Sequence, residues 1–241
     1  RHTCAVKTNG QVYCWGDNLA GQLGLQNVQQ QTRPTTAWRD RYHEATLVGG
    51  PYNICALTGA SLTCAGINTG YQLSPTGNLT EASYDYPALV LSEARLRDVA
   101  VGGSGHACVV NNSRHLSCWG TNSHRQAHAS QTGGRSSRNT IATGMAAVAL
   151  GHQHSCGLTT TGRVRCWGAN QYGQTGQASR ETPHGPTYVG GISNALKIAA
   201  AEFYTCALNN QNRVYCWGRN NYGQLGNGNT NDTHTPQRVQ F

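Results

Sequence analysis

The sequence predicts an all-β fold, a five-bladed β-propeller built from repeats of about 50 residues. Two observations carry this prediction: a cysteine-containing unit occurs five times, and short β-branched segments alternate with glycine-rich turns. The first cysteines of successive copies lie 51, 53, 48 and 50 residues apart. A constant period of this size, with three or four short strands per repeat, is typical of a ring of blades. We therefore treat residues 1–241 as one domain.

All ten cysteines belong to these five units, one pair in each. The pairs are Cys4/Cys14, Cys55/Cys64, Cys108/Cys118, Cys156/Cys166 and Cys206/Cys216. Each pair brackets a hairpin, whereas zinc sites use closer C-x2-C spacings. In the one shorter copy the missing residue comes out of the turn, which leaves Gly59-Ala60, so its cysteines still face each other across the strands. We predict one hairpin disulfide per blade, no metal site and an oxidising compartment, extracellular or periplasmic.

Within each full repeat, a small apolar strand comes first and a second strand carries the first cysteine. A hairpin returns through the second cysteine, and a turn-rich segment and a polar connection of about twenty residues follow. No opening strand precedes the first cysteine pair. Joining the two termini therefore leaves one blade short, so either that blade has one strand fewer or the chain continues beyond one end. We expect the C-terminal segment to meet the N-terminal repeat and close the ring.

The formal charge of +8 comes from sixteen arginines and two lysines against ten acidic residues. Such a balance favours acidic partners. The arginines are scattered, however, which is more typical of a solvated surface than of a nucleic-acid interface. No apolar run approaches the ~20 residues that cross a bilayer as a helix. We predict no nucleic-acid partner and no membrane insertion, and the oligomeric state stays open.

Two copies carry a specific family resemblance. The first reads His-Thr-Cys-Ala-Val over 2–6, Val-Tyr-Cys-Trp-Gly-Asp-Asn over 12–18 and Gly-Gln-Leu-Gly over 21–24. The fifth reads Thr-Cys-Ala-Leu over 205–208, Val-Tyr-Cys-Trp-Gly over 214–218 and Tyr-Gly-Gln-Leu-Gly over 222–226. These units resemble the regulator-of-chromosome-condensation repeat in its secreted, cysteine-containing variety, and the resemblance implies a β-propeller. The best-known members have seven blades, whereas this chain has cysteine pairs for five. Nucleotide exchange on a nuclear GTPase, the function that gives the family its name, fits poorly with disulfides.

Two polar positions are the same in all five copies. They are Asn18, Asn68, Asn122, Asn170 and Asn220, and Gln22, Gln72, Gln126, Gln174 and Gln224. Side-chain amides beside tight turns usually bond to the local backbone. The alternative is a repeated polar cup for a sugar hydroxyl. The position two residues before the first cysteine holds histidine in three copies (His2, His106, His154) and Asn53 or Tyr204 in the others, which favours a structural role. No catalytic arrangement is found, so the sequence predicts no enzyme and no cofactor.

Differences between the copies point to candidate binding residues in the loops. Copies two and three differ most, with Tyr71 and Arg125 where other copies have glycine. His128 replaces another glycine, and Trp38 in an inserted stretch is interpreted as a solvent-side aromatic. The candidate ligand-binding residues are Asn18, Gln22, Tyr71, Asn122, His124, Arg125, Asn170, Tyr172, Asn220 and Tyr222. Glycosylation sequons begin at Asn78, Asn111 and Asn231 and matter only in a eukaryotic source.

The sequence supports two hypotheses for function. The first is a secreted, non-enzymatic lectin with several equivalent carbohydrate sites around the ring, where weak sites combine through multivalency. The second is a protein-binding propeller, of inhibitor or receptor-ectodomain type, that uses one loop face. The degeneracy of copies two and three favours the second, because a single large partner breaks the symmetry of the ring. The partner is thus expected to be a glycan or an extracellular protein.

Overall fold

The computed structural model of the chain describes residues 2–38, 42–76, 80–92, 95–128, 133–180 and 185–241. The strands form five antiparallel sheets, each made of strands consecutive in the chain. The first sheet holds β1 (His2–Val6), β2 (Val12–Asp17) and β3 (Gln30–Thr36). The second holds β4 (Thr46–Gly49), β5 (Asn53–Leu57), β6 (Ser61–Ile67) and β7 (Ser83–Ser92), and the third β8 (Leu96–Val101), β9 (His106–Asn111), β10 (Leu116–Asn122) and β11 (Gly133–Ala142). The fourth holds β12 (Met145–Leu150), β13 (His154–Thr159), β14 (Val164–Gly168) and β15 (Thr187–Tyr188), and the fifth β16 (Ala195–Ala200), β17 (Tyr204–Asn209), β18 (Val214–Gly218) and β19 (Thr233–Arg238).

Each sheet is one blade and contains one of the predicted disulfides. In every blade the two cysteines are directly opposite each other in the strand register, with Cα atoms 4.1–4.2 Å apart. Such a short separation is characteristic of the non-hydrogen-bonded pairs of an antiparallel ladder, where side chains approach most closely. The bonds join the pairs that the spacing predicts: Cys4–Cys14, Cys55–Cys64, Cys108–Cys118, Cys156–Cys166 and Cys206–Cys216.

Eight of the ten disulfide-bonded cysteines are part of the core. The second cysteine of each pair is at most 3% exposed, which applies to Cys14, Cys64, Cys118, Cys166 and Cys216. The first cysteines Cys55, Cys108 and Cys156 are fully buried as well. These sulfur atoms therefore offer no surface to a ligand, and their role is to fasten the two central strands of a blade.

The two-residue turn of the second blade keeps the cysteine register. There the N–H of Thr58 donates to the carbonyl of Ser61 at 2.9 Å, which closes the hairpin around Gly59 and Ala60. Because the shorter turn removes one residue without a shift of the strands, Cys55 still lies opposite Cys64. The predicted all-β fold, five blades and hairpin disulfides are confirmed.

The core lies between neighbouring blades, and the Cys-Trp-Gly tryptophans fill it. Trp119, Trp167 and Trp217 are completely buried. The indole N–H of Trp119 donates to the carbonyl of Gln72 in the preceding blade at 2.8 Å, and that of Trp167 donates to the carbonyl of Gln126 at 2.9 Å. These two tryptophans combine large apolar burial with one satisfied polar group. Trp217 packs in the equivalent joint, where its indole N–H has no hydrogen-bond partner in the part of the chain that the structure describes.

A buried histidine adds a second link to these joints. The hydroxyl of Ser155 donates to the carbonyl of Gln126 at 2.9 Å, so it accepts from Nε2 of His106 at 3.1 Å. The equivalent link in the next joint joins His154 to Thr205 at 2.9 Å, and the Thr205 hydroxyl donates to the carbonyl of Gln174. Both imidazoles therefore carry their proton on Nε2. Their Nδ1 atoms are buried and have no hydrogen-bond partner among the described residues.

The second blade lacks the tryptophan, and Trp38 replaces it. Ala65 occupies the tryptophan position of that blade and is fully buried. Trp38 is also fully buried, in one apolar cluster with Ala65, and its indole N–H donates to the carbonyl of Leu23 at 3.3 Å. An indole from the inserted stretch thus fills the gap between the first and second blades. The interpretation of Trp38 as a solvent-side aromatic was wrong, because the space beside Ala65 accommodates it.

Neighbouring blades contact one another in chain order, from the first to the fifth. The strand β19 pairs with β18 and completes the fifth sheet, while the first sheet has three strands. On the outward side of the first blade, Thr3 and Ala5 are exposed, whereas their equivalents Thr205 and Ala207 are buried against the fourth blade. Closure of the ring by the C-terminal segment stays a prediction.

Candidate binding face

One end of the five sheets gathers most of the candidate residues. In an antiparallel blade, the loop between the first and second strands lies at the same end as the loop after the third strand. We call this end the loop face. It holds residues 50–52, 102–105, 151–153 and 201–203, together with the turns 18–22, 68–72, 122–126, 170–174 and 220–224. The binding residues that the sequence predicts all belong to these turns.

The repeated amides in these turns serve the backbone. Each asparagine Oδ1 accepts from the backbone N–H five residues later, at 2.7–2.9 Å, and no asparagine is more than 5% exposed. Each glutamine Oε1 accepts from the backbone N–H two residues earlier, at 2.8–3.0 Å. Burial leaves Asn18, Gln22, Asn122, Asn170 and Asn220 without surface for a ligand, so we remove them from the candidate site. Their hydrogen bonds to the backbone of the turn explain why these positions are the same in every copy.

The variable residues of the turns remain at the surface. Tyr222 is 83% exposed, and Tyr71, His124, Arg125 and Tyr172 are partly exposed. The structure does not bring all five together, because they belong to four different blades. Tyr172 and Tyr222 meet around a shared neighbour, described below, whereas Tyr71 and the pair His124/Arg125 lie on the second and third blades.

Tyr71 and Arg125 adopt a backbone conformation that favours glycine. Both have a φ of 60°, and the equivalent Gly21, Gly173 and Gly223 have φ values of 73–84°. A left-handed residue with a Cβ atom costs roughly 1–2 kcal/mol. Tyr71 and Arg125 therefore carry a strain that glycine avoids at the equivalent positions.

This strain can be measured within the chain itself. A Cβ atom at Gly223 would meet no heavy atom within 4 Å, so Gly223→Ala tests the backbone conformation without a steric clash. We expect it to lower the free energy of unfolding by about 1 kcal/mol and Arg125→Gly to raise it by a similar amount. Urea unfolding of both variants measures the two changes. A destabilised Arg125→Gly variant would show that side-chain contacts of Arg125 outweigh the strain.

The junction of the fourth and fifth blades carries an aromatic and cationic group, which we call the Arg219 cluster: Arg219, Tyr172, Phe203 and Tyr222. The guanidinium carbon of Arg219 lies 5.1 Å from the ring centre of Tyr172, 5.6 Å from that of Phe203 and 6.0 Å from that of Tyr222. The rings of Tyr172 and Phe203 are 5.2 Å apart, and His152 packs edge-on against Phe203. Cation–π attraction orients the guanidinium over the rings.

Sequence reasoning missed three members of this region: His152, Phe203 and Arg219. A signal was present, because the position before each repeated asparagine holds Asp, Ile, Thr, Ala or Arg in the five copies. Arg219 is the only arginine in that set. The contact itself crosses a blade boundary, which no pattern within one repeat reveals.

An axial cavity of about 490 Å³ opens beside the Arg219 cluster. It lies where the first strands of four blades converge and where the loops after them begin. Its lining is mostly small and apolar, with His152 and Glu202 at the rim, and comprises Gly49, Gly50, Pro51, Tyr52, Val101, Gly103, Leu150, Gly151, His152, Ala200, Ala201 and Glu202. Few polar side chains line this cavity, and it adjoins the Arg219 cluster.

Other predicted features are distributed over the surface. Of the sequons, Asn231 is exposed, and Asn111 uses its Oδ1 to accept from the N–H of His115. Asn78 lies outside the described residues. In the described ranges, no three histidine, cysteine or acidic side chains are close enough to hold a metal ion. The same part of the chain contains no helix with the length and hydropathy of a membrane span.

The fold defines a disulfide-bonded repeat β-propeller. Two family models described as Regulator of chromosome condensation (RCC1) repeat match the sequence, one at residues 1–22, 145–174 and 196–224, the other at 161–208 and 211–241. The chain is an RCC1-type repeat β-propeller. The matches cover the first, fourth and fifth copies and leave out the copies that contain Tyr71 and Arg125. No curated protein matches the sequence at a significant level.

Solved structures with the same fold include three proteins. Human WBSCR16 is 20% identical, with a TM-score of 0.80 over 96% of this chain and 67% of its own. Two structures of yeast Prp20, one bound to Kap60 and one described with its binding properties to Gsp1p and histones, are 18% and 19% identical, with TM-scores of 0.82 and 0.81. The chain spans 59% and 61% of those two chains. The CRINKLY WD40 ectodomain of the Arabidopsis thaliana receptor kinase ACR4 is 22% identical, with a TM-score of 0.52 over 90% of this chain and 60% of its own.

Proposed function

We propose that the chain is a secreted, non-enzymatic protein-binding propeller and that its partner contacts the loop face at the Arg219 cluster. The observation that carries this proposal is the cluster itself, an arginine held by three aromatic rings beside a cavity. Tyrosine, phenylalanine and arginine are enriched in protein interfaces, and aromatic and arginine anchors dominate binding energies. Tyr222 is the most exposed residue of the cluster and is the natural first contact.

The blade-to-blade asymmetry favours a protein over a glycan. A multivalent lectin needs equivalent sites, and the repeated amides that would form them are buried. The aromatic cluster occurs at one junction, which suits one large partner. The partners named for the relative Prp20 (Kap60, Gsp1p and histones) are proteins as well. Carbohydrate binding is the second hypothesis, and it now depends on the variable loop residues alone.

Five disulfides fit an oxidising, extracellular-type environment. This supports secretion and argues against a nuclear role like that which named the family.

Site-specific photo-crosslinking tests the proposal. A photoreactive phenylalanine analogue is placed at Tyr222, 83% exposed, and, as a control, at Leu89, 58% exposed on the outer strand β7. The purified, non-reduced protein is exposed to secreted proteins of the source organism. We expect one protein adduct from position 222 and none from position 89.

Adding Arg219→Ala should abolish this adduct, because loss of a central arginine anchor weakens binding about 30-fold or more. Equal adducts from both positions would contradict the proposed face. A glycan array serves as the second arm. A reproducible glycan hit with more than one site per chain would replace the proposal with the lectin hypothesis.

A further inference from the structure

The outer edge of the fourth blade carries a second cationic group, separate from the loop face. Two arginines on the same face of the strand, Arg163 and Arg165, contact the ring of Tyr188 on β15. The guanidinium carbon of Arg163 lies 3.5 Å from the ring centre, and that of Arg165 lies 4.2 Å from it. Arg165 Nη2 also donates to the Tyr188 hydroxyl. We call these three residues the Tyr188 clamp.

The strand register explains why the three side chains meet. Arg165 and Tyr188 are direct cross-strand partners, and Arg163 precedes Arg165 by two positions, so all three lie on one face of the sheet. The main chain of Tyr188 is held as well, because its carbonyl accepts from Nε2 of Gln177 at 3.0 Å. The clamp is thus fixed by the fold of the blade.

The clamp occurs in one blade of the five. The cross-strand pair equivalent to Arg165/Tyr188 is Tyr13/Thr36, Thr63/Leu89, Ser117/Thr140 and Tyr215/Arg238 in the other blades. The residue equivalent to Arg163 is Gln11, Ser61, His115 and Arg213. Two arginines two positions apart on this strand are therefore a departure from the repeat. Packing of the blade does not require them, because four other pairs fill the same place.

No carboxylate in the described ranges compensates the positive charge of the clamp. Among the described contacts of Arg163 and Arg165 there is no carboxylate, and the groups nearest to their charges are the ring and hydroxyl of Tyr188. Two cations on one ring repel each other unless an anion bridges them. Arg163 is exposed and offers its N–H groups outward, and the Tyr188 hydroxyl, which accepts from Arg165, keeps its own proton to donate.

We infer that the Tyr188 clamp binds a carboxylate of an acidic peptide segment. Guanidinium groups match a carboxylate in a planar, two-pronged geometry, and the hydroxyl adds a third donor. A sulfated polysaccharide suits the site less well. A sugar ring would need the face of Tyr188 that Arg163 covers, and a polyanion would need a continued basic track, whereas the neighbouring residues 185–187 are uncharged. This inference does not depend on the proposed function, since it concerns another surface.

A binding titration with a defined probe tests this inference. The probe is a fluorescein-labelled peptide with three consecutive glutamates between glycine and serine residues, followed by anisotropy at low salt. We expect Arg163→Gln to weaken binding about tenfold, because a charge-assisted hydrogen bond is lost. Tyr188→Phe should weaken it about threefold, since it removes one neutral donor.

The chain provides a matched control. Arg213 is exposed and occupies the position of Arg163 in the fifth blade. Arg238 lies across from Tyr215 there, but within the described part of the chain neither guanidinium contacts the Tyr215 ring, so the arrangement of the clamp is not formed. Arg213→Gln changes the net charge equally and should leave the affinity unchanged. If both variants lost the same affinity for the peptide, net charge alone would explain the effect, and the inference that the Tyr188 clamp binds a carboxylate would be overturned. The inference would also be overturned if the unmodified protein did not bind the peptide. The same holds if Arg163→Gln weakened the binding of heparin but not of the peptide.

Discussion

Trp38→Ala is expected to lower the free energy of unfolding by about 3–5 kcal/mol. The indole is completely buried between the first and second blades, in contact with the apolar cluster that contains Val12, Leu23 and Ala65. Its removal leaves a cavity in a joint whose equivalents are filled by Trp119, Trp167 and Trp217. It also leaves the buried carbonyl of Leu23 without the indole donor. Guanidinium chloride unfolding of the oxidised protein measures the loss.

A second substitution tests whether the loss comes from the missing indole in this joint or from the removal of any large side chain. Ala65 occupies the position of Trp119 and Trp167 in their blades, so Trp38→Ala combined with Ala65→Trp should return an indole to the same space from the usual strand. We expect the double variant to recover most of the lost stability. Ala65→Trp alone should be destabilising by about 1–3 kcal/mol, because two indoles then compete for one cavity. A double variant no more stable than Trp38→Ala would contradict the replacement of one tryptophan by another.

The same pair of residues shows how far sequence reasoning reaches. In the repeat pattern, Ala65 stands where the other copies have the tryptophan of Cys-Trp-Gly, so this joint lacks its usual indole. It could not say what fills the gap, because Trp38 belongs to an inserted stretch outside the repeat and its burial depends on the packing of two blades. Features local to one hairpin were predictable for the opposite reason. Strand register and turn length alone bring Cys55 opposite Cys64.

The candidate site also has features that the sequence predicts and features that it does not. The sequence placed variable residues such as Tyr172 and Tyr222 in loops at the surface, and the structure agrees. Identical amides such as Asn170 could be interpreted as ligand contacts or as turn supports, and only their burial decided between the two. The contact of Tyr172 with Phe203 joins consecutive blades through different loops, so it depends on the angle between sheets. That angle is a property of the assembled propeller and has no signature in a single repeat.

Mild acid is expected to destabilise the fold strongly, through two histidines in the blade joints. Burial lowers the pKa of His106 and of His154 from 6.5 to about 3, and for His106 the charge of His154 adds to this effect. The unfolded chain therefore binds more protons than the folded chain between pH 6.5 and about 3. The contribution of these two histidines to stability is fully present above their pKa in the unfolded chain. It falls as the pH is lowered from there towards their pKa in the folded chain. At pH 5 the expected loss is about 2 kcal/mol for each histidine.

The geometry explains why the fold cannot accommodate the proton. Each Nε2 already donates to a hydroxyl of the next blade, so the added proton must go to Nδ1, which is buried with no acceptor. Asp98 acts in the opposite sense, since burial raises the pKa of its carboxyl and its protonation favours the fold. The ordinary pKa of an aspartate lies well below that of a histidine, so the histidines dominate the change in stability between pH 7 and pH 5.

The second blade suggests the control for this prediction. Asn53 occupies the histidine position there, and its amide donates to the carbonyl of Ile67 at 2.6 Å, so an asparagine fits the joint without a titrating group. His106→Asn combined with His154→Asn should remove most of the difference in unfolding free energy between pH 7 and pH 5, whatever its effect at pH 7 alone. Urea unfolding at both pH values measures that difference. If the unfolding free energy of the double variant decreased as much between pH 7 and pH 5, other groups would be responsible for the proton uptake. The joints between the blades would then be acid-resistant parts of the propeller.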